Sequence, residues 1–170
     1  SKRIVLFIDS VHPILEEKLT QAGFLCQRHF KSTFEELQII LPQAYGLIIR
    51  SRFTIDETFL AFCPNLQFIA RSGSGLENID VQLCKASNIR LYNSPEGNRN
   101  AVAEHALGML LGLMNKLNKA HQEVRNGVWD REGNRGEELD GKTIGIIGYG
   151  NNGAAFAKKL RGFDVRVLAY

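Results

Sequence analysis

Three groups of residues in this chain have types and spacings that can do chemistry. The first is Gly148, Gly150 and Gly153, set as G-x-G-x-x-G in "GKTIGIIGYGNNG" (141–153). Gly148 permits a tight turn, Gly150 lets backbone approach a pyrophosphate with no Cβ in the way, and Gly153 lets a helix pack close to a strand. The helix opening there offers free N–H groups and the positive end of a dipole to phosphate. The second group is "RSGSG", Arg71 to Gly75, placed after an apolar run. Its backbone N–H groups can converge on an anion, and the Arg71 guanidinium can grip a carboxylate or phosphate with two hydrogen bonds. The alternative is a structural turn with Arg71 paired to a nearby acid. The third is "RSR", Arg50 to Arg52, also after an apolar run. Two arginines and a glycine-rich loop at one sheet edge suit a small, multiply anionic ligand, with Arg50 and Arg71 facing it. Arg52 reads as a solvated surface residue.

The other reactive types point to less. His12, His29, His105 and His121 lie near no Ser or Cys nucleophile pattern and have no zinc spacing. His105 neighbours Glu104, but adjacent residues on a helix do not face each other. It reads as a structural or interface residue. Cys26, Cys63 and Cys84 are odd in number and far apart, as buried thiols in a reducing compartment would be. No metal site is expected.

The elements that must position these residues follow from pattern. "RIVLFI", "FLCQRHF", "GLIIR", "LQFIAR" and "NIRLYN" read as strands. Between them, helices are signalled by Pro13 with a stop at Gly23, by a capping box from Ser32 to Glu35, and by caps at Asp56 and Asp80. Such alternation predicts a parallel sheet with helices on both faces, and ligands of such sheets bind at the carboxyl ends of the strands. Residues 101–117 read as one long helix, apolar on nearly every face and so buried on nearly every side. Gly108 and Gly112 on it would admit a close backbone, either within the chain or across a subunit interface. Residues 125–141 are polar and glycine-rich, with Trp129 as a packing anchor. "KTIGIIG", "NNGAAFAKKLRGF" and "VRVLAY" then make one strand–helix–strand unit, which is the context that gives the glycine motif its nucleotide meaning. The acid that would hold an adenosine ribose belongs ~20 residues beyond the motif, past Tyr170. Asp164 comes too early.

The chain has 170 residues, is 44% hydrophobic and 23% charged, and carries a net charge of +3. This is globular composition, with a mild lean toward anionic ligands and no basic block that calls for nucleic acid. "SKRIVLFIDS" reads as a strand rather than a leader. "ALGMLLGLM" (106–114) is far shorter than the ~18 apolar residues of a membrane span. A soluble, cytoplasmic setting is expected.

Several motifs in one order resemble the NAD-dependent D-isomer-specific 2-hydroxyacid dehydrogenases, most closely the phosphoglycerate dehydrogenase branch. They are "IIRSRFTID", "IARSGSGLENID", "LYNSPEGNRNAVAEHALGMLLGL", "NGVWDR" and "GEELDGKTIGIIGYGNNG". The resemblance implies a flavodoxin-like substrate domain (1–97) followed by the beginning of a Rossmann NAD-binding domain (98–170). It implies that this sequence looks like the first half of such an enzyme. Arg50, Ser51, Arg71, Ser72, Gly73, Ser74 and Gly75 would hold the substrate. Ser74, Val102, Gly148, Gly150, Asn151, Asn152 and Gly153 would face the cofactor, NAD. The long helix and the Trp129 region resemble a homodimer interface. The family's catalytic Arg, acid and His would all lie downstream, so the 170 residues alone are expected not to turn over. Asn152 departs from the apolar residue usual before the last glycine. The implied reaction is oxidation of 3-phosphoglycerate, with glyoxylate or hydroxypyruvate reduction, or a non-catalytic dinucleotide-binding or dimerising protein on the same fold, as alternatives.

Overall fold

A computed structural model describes residues 3–170, so the first two residues of "SKRIVLFIDS" lie outside it. The chain divides into two compact units, Ser1–Pro95 and Glu96–Tyr170.

The first unit is a five-stranded parallel sheet of order β2-β1-β3-β4-β5. Its strands are β1 (Ile4–Phe7), β2 (Leu25–Arg28), β3 (Ala44–Ile49), β4 (Phe68–Arg71) and β5 (Arg90–Tyr92). Between them run α1 (Pro13–Gln21), α2 (Phe34–Ile40), α3 (Glu57–Leu60) and α4 (Val81–Ala86). Strand alternation sends Leu6, Ile8, Leu47, Ile49 and Ile69 into one core with Leu37, Phe59 and Cys84 of α2, α3 and α4. Val5, Phe7 and Ile48 point the other way, against Leu15 and Leu19 of α1. The central strands β1 and β3 are thus apolar on both faces, as doubly covered parallel strands are. Gly46 in β3 has a specific reason to be glycine: a Cβ there would run into the Phe68 ring of the neighbouring strand.

The helix starts follow local chemistry, with one shift of register. Pro13 is in the first turn of α1, Asp56 accepts from Phe59 N, and Asp80 accepts from Leu83 N. The capping box uses Thr33 and Glu36, not Ser32 and Glu35. "STFEE" holds both registers, and Ser32 is drawn into a turn, its N–H donating to His29 O and its hydroxyl 3.4 Å from His29 Nδ1.

The second unit holds α5 (Arg99–Met114), α6 (Leu117–Arg125), the parallel pair β6 (Thr143–Ile146) and β7 (Arg166–Ala169), and α7 (Asn151–Leu160) between them. The expected single helix over 101–117 is corrected here. It starts earlier, ends at Met114, and is followed by Lys116 in the left-handed region at φ 52°. The segment after α6 explains the stop: Glu137 N donates to Met114 O, and Gly136 sits so close that a Cβ would lie 3.0 Å from Asn115 Cα. The expectation that this helix is buried on nearly every side is also corrected. Only Ala103 is fully buried, while Met109 and Leu113 are 65% and 76% exposed. One face packs on α7, with Glu104 paired to Lys159 at 2.9 Å. The opposite face has no cover among the described residues. Trp129 is 82% exposed, so it does not anchor packing in this unit. No described helix is long and apolar enough to cross a membrane.

Candidate functional site

In the first unit the strand order reverses between β1 and β3. Connections run outward from that point in both directions, leaving a crevice at the carboxyl ends where no loop crosses. Asp9 follows β1 there and Arg50 follows β3. Asp9 Oδ2 accepts from Arg50 N at 2.6 Å, fixing the backbone of the Arg50 turn. The Arg50 carbonyl is held from the other side by Arg71 Nε at 3.0 Å and Asn78 Nδ2 at 3.2 Å. Asn78 Nδ2 also reaches Phe53 O at 2.9 Å. The Arg50 main chain is therefore fixed on three sides while its side chain stays exposed beside Ser51.

The three arginines differ sharply in what they hold. Arg71 directs Nε to Arg50 O and Nη1 to Gly75 O, and Glu77 lies 3.7 Å from Nη1. Its side chain is only 16% exposed. Its Nη2 carries no hydrogen bond among the described residues. The Arg71 guanidinium folds over Gly73, with Nη1 3.2 Å from where a Cβ would be, a tight approach that a side chain there would have to push back. Arg52 is not a solvated surface residue, which corrects the sequence expectation. Its guanidinium turns onto the carbonyls of His29, Phe30 and Ser32 and lies 4.5 Å from the Phe53 ring centroid. The carbonyls of the turn after β2 supply acceptors that a sequence pattern does not reveal.

The loop after β4 is partly committed as well. Ser72 N donates to Ile49 O and Gly73 N to Arg71 O, whereas the N–H groups of Ser74 and Gly75 have no partner among the described residues. Asn93 Nδ2 donates to Ser74 O at 2.6 Å, and Ser94 N to Gly73 O at 2.9 Å. The loop is braced from behind by the segment after β5.

In the second unit the glycine motif has the geometry its spacing predicts. Gly148 adopts φ 91°, the left-handed conformation that favours glycine. Gly150 is the N-cap of α7; among the described residues no side chain caps the helix and nothing lies within 4 Å of where a Cβ would stand. Gly153 faces the opposite situation: a Cβ there would collide with Gly148 O and meet Ile146 Cγ2 at 3.2 Å. Asn151 and Asn152 begin the helix and are exposed, so the polarity of Asn152 stays outside the α7–β6 packing. Val102 is 38% exposed in the first turn of α5. A groove of about 620 Å³ runs along Gly150, Asn151 and Ala154 and is also lined by Arg99, Asn100 and Lys158. Sequence reading missed these last three. The signal for Lys158 was present, since Ala154 and Lys158 are four apart and share one helix face.

The first unit is a doubly wound parallel α/β sheet and the second a strand–glycine turn–helix–strand. Together they describe the dinucleotide-linked class of α/β proteins. Residues 5–164 match the D-isomer specific 2-hydroxyacid dehydrogenase catalytic-domain model, and the chain belongs to that family. It is 37% identical over 136 residues to a hydroxypyruvate reductase of Thermotoga maritima, covering 80% of this chain and 44% of that protein. It is 31% identical over 168 residues to the D-3-phosphoglycerate dehydrogenase of Rattus norvegicus, covering 99% of this chain and 32% of that one. The chain thus spans less than half of either relative. Among solved structures it resembles the NAD-dependent formate dehydrogenase of Staphylococcus aureus in complex with NAD. The TM-score is 0.79 at 26% identity, over 100% of this chain and 56% of that one.

Proposed function

We propose that the chain is part of an NAD-linked oxidoreductase acting on a small D-2-hydroxyacid. Residues 1–97 hold the anionic substrate, and residues 98–170 begin the NAD-binding domain. The observation that carries the reading is the glycine turn: a backbone open at Gly150, an uncapped α7, and a Gly153 with no room for a Cβ, in a chain of this family. Those residues fit a dinucleotide. Gly148, Gly150, Asn151, Asn152 and Gly153 would hold the pyrophosphate, with Val102 and Ser74 toward the nicotinamide. Bound NAD supplies the hydride acceptor. The hydroxyacid loses a hydride from its carbinol carbon and a proton from its hydroxyl, giving a 2-oxoacid, NADH and a proton.

Within the chain, Arg50 and Ser51, the free Nη2 of Arg71 and the Ser74 and Gly75 N–H groups orient the substrate's anionic ends. None of the 170 residues is assigned the proton transfer. The Arg, acid and His that the family resemblance implies for that step match no residue among these 170, and the proposal is that the 170 residues alone do not turn over. 3-Phosphoglycerate, oxidised to 3-phosphohydroxypyruvate on the way to serine, is the first substrate proposed, in keeping with the relatives that bear that name. Glyoxylate or hydroxypyruvate is the second reading. It is favoured by one observation: Arg52 and most of Arg71 are turned onto the chain's own carbonyls, while the Arg50 guanidinium has no such contact among the described residues. The exposed apolar face of α5, where Gly108 and Gly112 have nothing within 4 Å of an added Cβ, supports a homodimer through that helix. A cytoplasmic setting follows from the metabolic reaction proposed.

The test is the appearance of NADH with D-3-phosphoglycerate, and its loss with hydroxypyruvate or glyoxylate, for the 170-residue chain and for a longer polypeptide carrying it. The account expects turnover in the longer form only. Turnover by the 170 residues, or none in a folded longer form with any of the three substrates, contradicts it.

A further inference from the structure

The groove beside the glycine turn carries more charge than the motif explains. It is bounded by the first turns of two helices, α5 and α7. Neither helix has a side chain capping its N-terminus, and neither has an acidic residue in its first turn. By contrast α1, α2 and α3 each place a glutamate there. Acids in that position offset the positive end of the dipole, so the two helices at the groove leave theirs uncompensated, as α6 also does. Arg99 goes further. It is the first residue of α5, where a cation is repelled by the dipole. Lys158 enters from the other helix, one turn beyond Ala154. Neither Arg99 nor Lys158 forms an ion pair among the described residues, although Lys159 next door pairs with Glu104 at 2.9 Å. Arg99 thus stands against the dipole with no ion pair among the described residues, and Lys158, from the last turn of α7, brings a second unpaired cation to the same groove.

We propose that Arg99 and Lys158 are affinity-determining residues that clamp the cofactor's diphosphate from outside the glycine motif. This rests on the dinucleotide reading given above. The turn supplies N–H groups from beneath, while the two cations supply charge from the flanks, where an exposed Asn151–Asn152 pair supplies none. A guanidinium and an ammonium on opposite helices also fix the orientation of a group with two phosphorus centres, which a single helix N-terminus does not. The pair would serve NAD and ADP-ribose equally, because both carry the same diphosphate, and would be indifferent to the nicotinamide ring.

The experiment measures binding of inorganic pyrophosphate, ADP-ribose and NAD to the folded protein and to Arg99→Gln, Lys158→Gln, the double variant and Lys159→Gln. The last removes the same charge from the same helix without touching the groove. The expected loss for pyrophosphate and ADP-ribose is about threefold to tenfold in each single variant and about tenfold or more in the double. Lys159→Gln should bind like the parent. Circular dichroism of each variant guards against unfolding, and all three side chains can become glutamine without leaving a cavity. Unchanged affinity in the double variant overturns the inference and leaves the dinucleotide reading standing. Pyrophosphate binding that depends on the pair, with no NAD or ADP-ribose binding, sinks the dinucleotide reading and with it the assignment of the pair to the cofactor. An equal loss in Lys159→Gln reduces the effect to net charge and overturns the clamp.

Discussion

Gly150 and Gly153 belong to one motif, yet the structure gives them opposite jobs, and two alanine substitutions separate them. In Gly153→Ala the new methyl lands on Gly148 O, a backbone atom that cannot rotate aside, and also touches Ile146 Cγ2 at 3.2 Å. To restore ordinary contact near 3.5 Å, α7 must back away from β6 by about 1 Å. Overpacking of this kind costs about 1–3 kcal/mol, with a rigid obstacle toward the upper end. Alanine returns about 1 kcal/mol of helix propensity over glycine. The net expectation is a destabilisation of about 2 kcal/mol, or roughly 4–8 °C in Tm for a chain of this length. In Gly150→Ala the methyl meets open space and φ is −87°, so stability should stay within about 1 kcal/mol of the parent. That methyl, however, stands where the pyrophosphate must approach, so NAD affinity should fall by about tenfold or more, near 1.4 kcal/mol. Thermal melts and NAD titrations on both variants provide the readout. A Gly153→Ala protein that melts with the parent would refute the close α7–β6 approach. A Gly150→Ala protein that binds NAD unchanged would refute the role of that backbone.

Three further outcomes follow. Arg71→Ala should destabilise the first unit by about 1–3 kcal/mol, because two carbonyls lose a charged donor, while Arg50→Ala should change stability by less than about 0.5 kcal/mol; urea melts distinguish the two. Burial pushes the Cys63 thiol up to about 12 from 9.0. Since the folded state holds this proton more tightly, its contribution is complete below pH 9 and is lost as pH climbs through the folded value, at about 1.4 kcal/mol per pH unit; stability measured between pH 8 and 11 should show that decline, and Cys63→Ser should flatten it. Asp80→Ala should cost about 1 kcal/mol by uncapping α4, visible in the same melts, since Leu83 N loses its 2.8 Å partner.

Much of the fold is legible from pattern because parallel sheets repeat one local rule. Apolar runs mark the central strands β1 and β3, the strand–helix alternation places the others in order, and the caps at Asp56 and Asp80 sit where sequence places them. The glycine turn was legible for the same reason, since each glycine answers a backbone demand made by its immediate neighbours. What failed depended on distant partners. The capping box slipped by one residue because His29 competes for Ser32. Helix α5 ends at Met114 because residues 136 and 137 pack against its last turn, and no Gly or Pro announces that. Its apolar composition suggested burial, but burial requires a cover, and α7 supplies one face only. The arginines show the limit most clearly. Arg50, Arg52 and Arg71 look alike in sequence, while the acceptors that hold Arg52 and Arg71 come from the segments after β2 and β3 and from the Gly75 turn.

The central claim is that the glycine turn of the second unit holds NAD. At 170 residues the chain suits amide-resolved NMR. We would follow its backbone N–H resonances during an NAD titration. The account predicts saturable shifts that are largest at Gly148, Gly150, Asn151 and Asn152 and that ADP-ribose reproduces. No saturable shift, or shifts centred away from residues 148–153, would contradict it.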